Sequence, residues 1–409
     1  MHPSEAILSD RSNRLKGETI VVGITGSIAA VESIKVIREL LRHGAKVVPI
    51  MSRDATSIVT PGAIEFAAGI PPVVDITGQV EHVKYVGPGA GKASLMLIAP
   101  ATSNTLSKIA LGISDTSVTT FASMALGAGI PIVVAPAMHS EMTRNRLVNA
   151  NLDSLRKAGV HFVPPVLEEN EAKLAHPDAI VAHVMHHLGR GPLKGRSVLV
   201  IGGSTAEQID DVRYVTNGGS GRTAVELASW AFRLGATPVL WLGEARVPVP
   251  EFIPTRRFRD LSDLNDLMER FPGELKGADL VLVPAALSDY TVEGRRKGKI
   301  DSATEATVNL RLARTRKVLP EIRGRLSPNA KLVGFKLAPF DTPEDLAARA
   351  RTLMQEVGLD AVVANGPSAM GAEESMVLLV LPSAKPLAME GPKSQLALRL
   401  MEHFGELLP

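Results

Sequence analysis

The chain has 409 residues, 45% hydrophobic and 22% charged, which is enough for two or three globular domains and excludes both disorder and one small core. Lys+Arg exceed Asp+Glu by 45 − 43 = 2, so no global charge excess draws the chain to nucleic acid or an anionic membrane, although local basic clusters can still meet small anionic substrates. With 0 Cys there is no disulfide, thiolate nucleophile or Cys-based zinc cage, and work usually done by a thiol falls to other groups.

Residues 1–14 contain no apolar segment of signal-peptide length, and no run of about 18 apolar residues occurs anywhere, so a cytoplasmic protein without membrane or nucleic-acid partners is expected. Strand-length apolar runs at 19–22, 46–50, 95–99 and 132–135 alternate with helical patterns at 28–43, 105–111 and 152–158. That alternation predicts a parallel sheet covered on both faces. His43-Gly44 closes the first helix, with Gly44 in the left-handed position just past its end. The short Gly/Pro-rich stretch 188–195 divides the chain into 1–190 and 191–409. After it, 196–201 runs into Gly202-Gly203-Ser204-Thr205 much as 19–22 runs into Gly23-Ile24-Thr25-Gly26-Ser27. Further strand-like runs follow at 237–242, 278–284, 331–335, 361–364 and 376–381. The fold class is therefore α/β, two tandem Rossmann-like domains with mainly parallel sheets.

In open α/β sheets ligands bind beyond the carboxyl ends of the strands, where helix N-termini present backbone N–H groups. Gly26-Ser27-Ile28-Ala29-Ala30 sits at such a place, yet it matches neither G-x-G-x-x-G nor G-x-x-x-x-G-K-[ST], and a tight turn without ligand accounts for it equally well. Three further strand ends strengthen it. Ala99-Pro100-Ala101-Thr102-Ser103-Asn104-Thr105, Ser114-Asp115 and Ala135-Pro136-Ala137-Met138-His139-Ser140-Glu141-Met142 bring hydroxyls, amides and a thioether to the same rim, with His82 after a long polar loop.

This set resembles the flavin-dependent cysteine decarboxylases, which decarboxylate phosphopantothenoylcysteine with bound FMN. The resemblance implies a flavodoxin-like FMN-binding domain in which Gly26, Ser27 and Ser52 hold the FMN phosphate and Thr102, Asp115 and Ser117 lie near the ring system or ribityl chain. His82, Asn104, Met138 and His139 would face the substrate, with His82 catalytic. From the residues alone, the blander reading of His82 is a surface histidine on a loop, and that of Met138 and Met142 is core packing. Two positions depart from the family. Its Pro-Ala-Met-Asn is Pro-Ala-Met-His139 here, and its flap Cys, which helps protonate the reduced intermediate, is absent. Lys173, in the flap segment 168–176, falls about where that Cys would be. Desolvation over a flavin would lower a lysine from about 10.4 and make it a proton donor; a solvated lysine among glutamates is the other reading.

In the second half, Asp210-Asp211-Val212-Arg213-Tyr214-Val215-Thr216-Asn217-Gly218-Gly219-Ser220-Gly221-Arg222 joins a glycine-rich turn to a helix at 223–233. Pro284-Ala285-Ala286-Leu287-Ser288-Asp289-Tyr290, the basic segment 295–299 with Ile300, Gly334-Phe335-Lys336 and Ala364-Asn365-Gly366 follow. This series is similar to the phosphopantothenate–cysteine ligases, and both halves together, over about residues 17–405, resemble the bifunctional coenzyme A biosynthesis proteins in domain order. The resemblance implies that CTP activates the carboxylate of 4′-phosphopantothenate as an acyl-cytidylate and that the amine of cysteine displaces CMP, with Mg2+ or Mn2+ assisting. Asp289 would serve the metal and nucleotide, and Lys299 the triphosphate or acyl-nucleotide. Asn217 would hold the acyl intermediate, with Arg213 near the substrate, while Ser220, Gly221, Ala285, Ala286, Phe335 and Lys336 would contact nucleotide. A solvated basic loop at 295–299 and a turn-capping Asp289 are the alternatives that the residues allow.

The first domain would then decarboxylate the ligase product with FMN and reduce it to 4′-phosphopantetheine. The family's trimeric decarboxylase and dimeric ligase halves imply a homo-oligomer combining both symmetries, such as a dodecamer. A ligase fused to a catalytically inactive, regulatory flavin-binding domain is the alternative that the missing Cys leaves open. A flavin prenyltransferase-like first domain would need an Arg/Lys-rich pocket near 99–105, where few such residues stand.

Overall fold

The computed structural model describes residues 2–87, 89, 92–168, 171–305, 307–339, 342–367 and 371–409. Two compact units divide it, Met1–Leu188 and Gly189–Pro409.

The first unit contains strands β1 (Thr19–Ile24), β2 (Lys46–Met51), β3 (Leu95–Ala101), β4 (Ile132–Pro136), β5 (His161–Phe162) and the hairpin strands β6 (Val166–Glu168) and β7 (Glu171–Lys173). β1 to β5 form one sheet in the order β2-β1-β3-β4-β5, parallel throughout, which is the flavodoxin-like order. All seven residues of β3 are buried, because helices cover both faces and leave no polar side to the strand. The core gathers Ile98, Val134 and Phe121 with Leu106 and Leu155 from flanking helices; each such side chain contributes about 1.5–3 kcal/mol by leaving water.

The helical pattern at 28–43 resolves into a 3-10 turn, Ile28–Glu32, and an α-helix, Ser33–Arg42, that buries Val36, Ile37, Leu40 and Leu41 along one side. It stops at Gly44, whose φ of +92° a residue with a side chain would adopt only under strain. The helix read at 152–158 runs longer, Arg146–Lys157. Asn145 caps its start by accepting the Leu147 N–H at 2.9 Å, and only Leu152 and Leu155 are buried, so its first turns carry no apolar period.

The second unit contains β8 (Ser197–Gly202), β9 (Ala206–Gln208), β10 (Tyr214–Thr216), β11 (Thr237–Leu242), β12 (Thr255–Arg257), β13 (Leu280–Val283), β14 (Tyr290–Glu293), β15 (Arg311–Arg314), β16 (Lys331–Leu337), β17 (Ala361–Asn365), β18 (Glu374–Val380) and β19 (Leu387–Pro392). Eight of them make one sheet, β12-β11-β8-β13-β16-β17-β18-β19. The first six are parallel in the Rossmann order, and β18 and β19 close the edge antiparallel. β9–β10 and β14–β15 form separate antiparallel pairs above the sheet's carboxyl ends in sequence, each following β8 or β13. In each unit the strand order reverses beside its first strand, between β1 and β3 and between β8 and β13, and a crevice forms where the following loops part. Among the described residues no helix is long and apolar enough to cross a membrane.

Candidate active sites

In the first unit the loops after β1, β2, β3 and β4 surround a cavity of about 1260 Å3. Its rim is made of helix starts. Ser27 Oγ accepts the Ala29 N–H at 3.3 Å, Ser52 Oγ the Ala55 N–H at 3.3 Å, and Thr102 Oγ1 the Thr105 N–H at 3.3 Å. Thr25 ties two of these loops together: its hydroxyl donates to the Pro100 carbonyl at 2.7 Å and accepts the Thr102 N–H at 3.0 Å. Gly26 permits a close approach, since a Cβ there would lie 2.5 Å from Asp54 Cβ. Helix N-termini gathered at one rim make a region of fixed partial positive charge suited to a phosphate.

Of the residues singled out in the sequence, Gly26, Ser27, Ser52, Thr102, Asn104, Met138, His139 and Lys173 line this one cavity. The Met138 N–H donates to the Ala172 carbonyl at 3.3 Å, which seats the β6–β7 hairpin beside the Met138-His139 loop and sets Lys173 next to it. Lys173 is exposed, so the desolvation anticipated for it is not met within this unit.

Three residues stand elsewhere. Ser117 is buried and donates to the Met51 carbonyl at 2.8 Å, so it faces the sheet. Asp115 is outside the lining and pairs with Lys108 Nζ at 2.6 Å; that bond, first among several, holds its carboxyl below the usual range. His82, on the helix Glu81–Val86, turns edge-on to Phe121 at 6.4 Å, its Nδ1 enclosed without a hydrogen-bond partner among the described residues, and does not line the cavity. The sequence reading also passed over Lys35, Lys108 and His176, all of which line it. Lys108 had a signal: four residues beyond Asn104 on the helix Ser103–Ala110, it shares that residue's face.

The second unit's pocket is smaller, about 150 Å3, at the reversal between β8 and β13. Ser220, Gly221, Ala285, Ala286 and Phe335 line it together. The glycine-rich turn is bound to the strand ends. Thr216 Oγ1 donates to the Thr205 carbonyl at 2.7 Å, and Asn217 Nδ2 to the Ala286 carbonyl at 3.0 Å. Gly219 packs closely on this region, because a Cβ there would lie 2.7 Å from Ser204 Oγ and force that hydroxyl to shift. Asn217, Arg213, Lys299, Asp289 and Lys336 do not line the pocket. Lys336 follows Phe335 on β16, and successive side chains of a strand point to opposite faces. Asp289 pairs with Lys317 Nζ at 2.5 Å, and among the described residues no group of three His, Cys, Asp or Glu could hold a metal ion.

Arg213 and Lys299 are organised by a residue the motif reading left unassigned. Asp210 is fully buried and accepts N–H bonds from Ile300 at 3.0 Å, Val212 at 2.8 Å and Arg213 at 2.5 Å, with the Arg213 guanidinium at 2.6 Å. These bonds, the one from Ile300 foremost, hold its carboxyl far below the ordinary range. Asp211 likewise accepts the Gly298 N–H at 2.8 Å and pairs with Arg295 at 3.1 Å. The adjacent acids thus lash the basic segment to the turn that carries Arg213, leaving Lys299 exposed at its end.

Residues 8–189 match the Flavoprotein family model and 193–407 the DNA/pantothenate metabolism flavoprotein C-terminal domain. The chain is 41% identical over 413 aligned residues, 100% of both chains, to the Coenzyme A biosynthesis bifunctional protein CoaBC of Thermococcus kodakarensis. It is 32% identical to the protein of the same name in Methanocaldococcus jannaschii, over 100% of this chain and 98% of that one. Among solved structures, the DNA/pantothenate metabolism flavoprotein from Streptococcus pneumoniae is similar at 22% identity and a TM-score of 0.45, covering 52% of this chain and 99% of that one.

Proposed function

The chain belongs to the family of bifunctional coenzyme A biosynthesis proteins, and from that premise we propose a division of labour: residues 191–409 join 4′-phosphopantothenate to cysteine at the expense of CTP, and residues 1–190 decarboxylate the product with FMN. The observation that carries this reading is the pair of rims, each at a strand-order reversal and each lined by residues of the matching motif series.

The first cavity fits FMN. Its capped helix starts and the tight approach at Gly26 suit a phosphate, and its volume exceeds the roughly 300–1,000 Å3 of ordinary ligand pockets, leaving room for a substrate beside the cofactor. FMN, when bound, supplies a two-electron acceptor and donor. Gly26, Ser27 and Ser52 hold its phosphate end, with Thr102 nearby. Asn104 and His139 orient the substrate by hydrogen bonds, Met138 packs against it, and Lys173 Nζ delivers a proton from the hairpin. Asp115 acts through Lys108, and Ser117 fixes the helix start behind the rim. Because His82 lies outside the cavity of its own unit, its part in the chemistry requires a neighbouring copy of the chain to bring it there. Exposed apolar side chains of this unit, Ile28, Leu111 and Leu147 among them, favour such an assembly of copies.

In the second unit Ser220, Gly221, Ala285, Ala286 and Phe335 take the nucleotide, and Lys336, next to Phe335 near the carboxyl end of β16, serves it from outside the pocket lining. Asn217 and Arg213 hold the acyl group, and Lys299 meets the negative charge that builds as CMP leaves. Mg2+ binds through one or two carboxylates and the phosphates it escorts, so Asp289 suffices as its protein ligand once Lys317 yields. The assigned reactions belong to coenzyme A biosynthesis, and we place them in the cytoplasm. A purified preparation tests this: it should be yellow, with flavin absorbance, and should join cysteine to phosphopantothenate only with CTP. Yellow protein with ligase activity but no decarboxylation would favour the alternative of a ligase fused to an inactive regulatory flavin-binding domain; colourless protein with ligase activity would confine the function to the second unit, and absence of both properties would overturn the reading.

A further inference from the structure

Ser204, just beyond the end of β8, belongs to none of the motif roles assigned above. The residue is 1% exposed, and its Oγ is enclosed without a hydrogen-bond partner among the described residues. Buried hydroxyls are nearly always paired, because an unmade bond forfeits the hydration that the group had in the unfolded chain. The backbone on either side is firmly placed. The Ser204 N–H donates to the Glu244 carbonyl at 3.0 Å, the Ser204 carbonyl accepts the Glu244 N–H at 2.8 Å, and Gly203, at φ +77°, makes the turn before it. A Cβ on Gly243 would lie 2.4 Å from the Ser204 carbonyl oxygen, so this corner is close-packed as well.

Only a glycine separates the hydroxyl from the second unit's pocket. A Cβ on Gly219 would lie 2.7 Å from Ser204 Oγ, and Gly219 lines that pocket together with Gly203 and Ala286. The turn that carries Gly219 is tied down on both sides: Asn217 Nδ2 donates to the Ala286 carbonyl at 3.0 Å, and the Ser220 carbonyl accepts the Arg246 N–H at 3.0 Å. Gly218 and Gly219 stand between these ties, and glycine backbone shifts at little steric cost. Just beyond, Gly221 gives the helix Arg222–Arg233 no side-chain cap, so the N–H groups of its first turn are directed at the same wall of the pocket. A phosphate suits this place. The helix start draws it, and its oxygens are the acceptors that the Ser204 hydroxyl lacks.

We infer that Ser204 is a phosphate-binding residue of the second unit, its hydroxyl donating to a phosphate oxygen once the ligand draws Gly218-Gly219 aside. The inference rests on the nucleotide reading of the pocket and extends it to a residue behind the pocket's lining. The phosphate has two possible sources, the triphosphate of CTP and the 4′-phosphate of phosphopantothenate.

Deleting a hydroxyl that waits for a ligand and deleting one that holds the fold have opposite effects on the free protein. Ser204→Ala should leave the thermal unfolding midpoint of the ligand-free full chain unchanged or raised, since no bond is lost. In equilibrium dialysis with Mg2+ present, against CTP alone and against phosphopantothenate alone, the same variant should bind at least one of the two about tenfold more weakly or worse, a loss typical of a hydrogen bond to a charged group. The ligand that weakens identifies the source. Unchanged affinity for both would overturn the assignment, and so would weakened binding accompanied by a lowered midpoint, because Ser204 would then act through the fold. The unsubstituted chain separates this inference from the reading beneath it: CTP and phosphopantothenate bound as tightly by Ser204→Ala as by the unsubstituted chain remove the role of Ser204 and keep the nucleotide reading, whereas an unsubstituted chain that takes up neither ligand removes both.

Discussion

Lys173 concentrates the chemical question of a chain without thiols. It ends the β6–β7 hairpin, which the Met138–Ala172 bridge seats against the cavity, and it is the amine that this hairpin offers to the cavity. A positioned general acid contributes about 100- to 10,000-fold, so Lys173→Ala should reduce the product-reduction step by at least about 100-fold while oxidative decarboxylation stays measurable by CO2 release. Full activity in that variant would remove Lys173 from the reaction. Asp210 gives a second test at this scale. Its carboxylate organises both Arg213 and the approach to Lys299, and a 1 Å misplacement of reacting groups costs about 100-fold. Asp210→Asn should therefore cut ligase kcat/KM about 100-fold with flavin content unchanged; an unaffected ligase would contradict its organising role. The motif around Asp210 was legible and its role was not, because the N–H it accepts from Ile300 lies 90 residues away.

At the scale of elements, the glycines and caps that shape each rim were legible because such constraints act within a few residues. Gly26 is the sharpest case. A Cβ there would sit 2.5 Å from Asp54 Cβ, so Gly26→Ala must displace the loop between β1 and the 3-10 turn. The expected outcome is a folded protein that loses most of its flavin, read from absorbance after gel filtration; undiminished flavin would contradict a phosphate site there. The helix Pro177–Leu188 carries a pH dependence. Burial, with the charges of His186 and His161 second, pushes His183 down to about 4. The folded state thus favours neutral His183, while the unfolded chain takes up its proton near pH 6.5. The stability is complete above about 6.5, declines as pH falls toward about 4, and the full loss is about 3 kcal/mol. His183→Leu should shift the acid unfolding midpoint of the first unit to lower pH, and an unmoved midpoint would contradict this. Long strands such as β3 and β11 were evident from their apolar runs. The hairpins β6–β7, β9–β10 and β14–β15 were not, since strands of three or four residues are too short to show a period, and β19 was missed although it has six residues, because its charged and glycine positions break the alternation.

For the molecule as a whole, two sheets with independent strand orders explain how one chain can hold two chemistries, and the repeated strand-to-glycine start at residues 19 and 196 made that duplication readable without coordinates. What the sequence could not supply was the position of His82, which depends on tertiary packing against Phe121 and is not aimed at the cavity of its own unit. If His82 serves a neighbouring copy, the chain of 43.4 kDa must sediment as an oligomer under assay conditions, and an active monomer would contradict that role. The central claim is that both reactions belong to this one chain. Supplying it with FMN, phosphopantothenate, cysteine labelled at its carboxylate and CTP measures this directly: the account predicts one CMP and one labelled CO2 for each phosphopantetheine formed, and CMP released without labelled CO2, or neither, would contradict it.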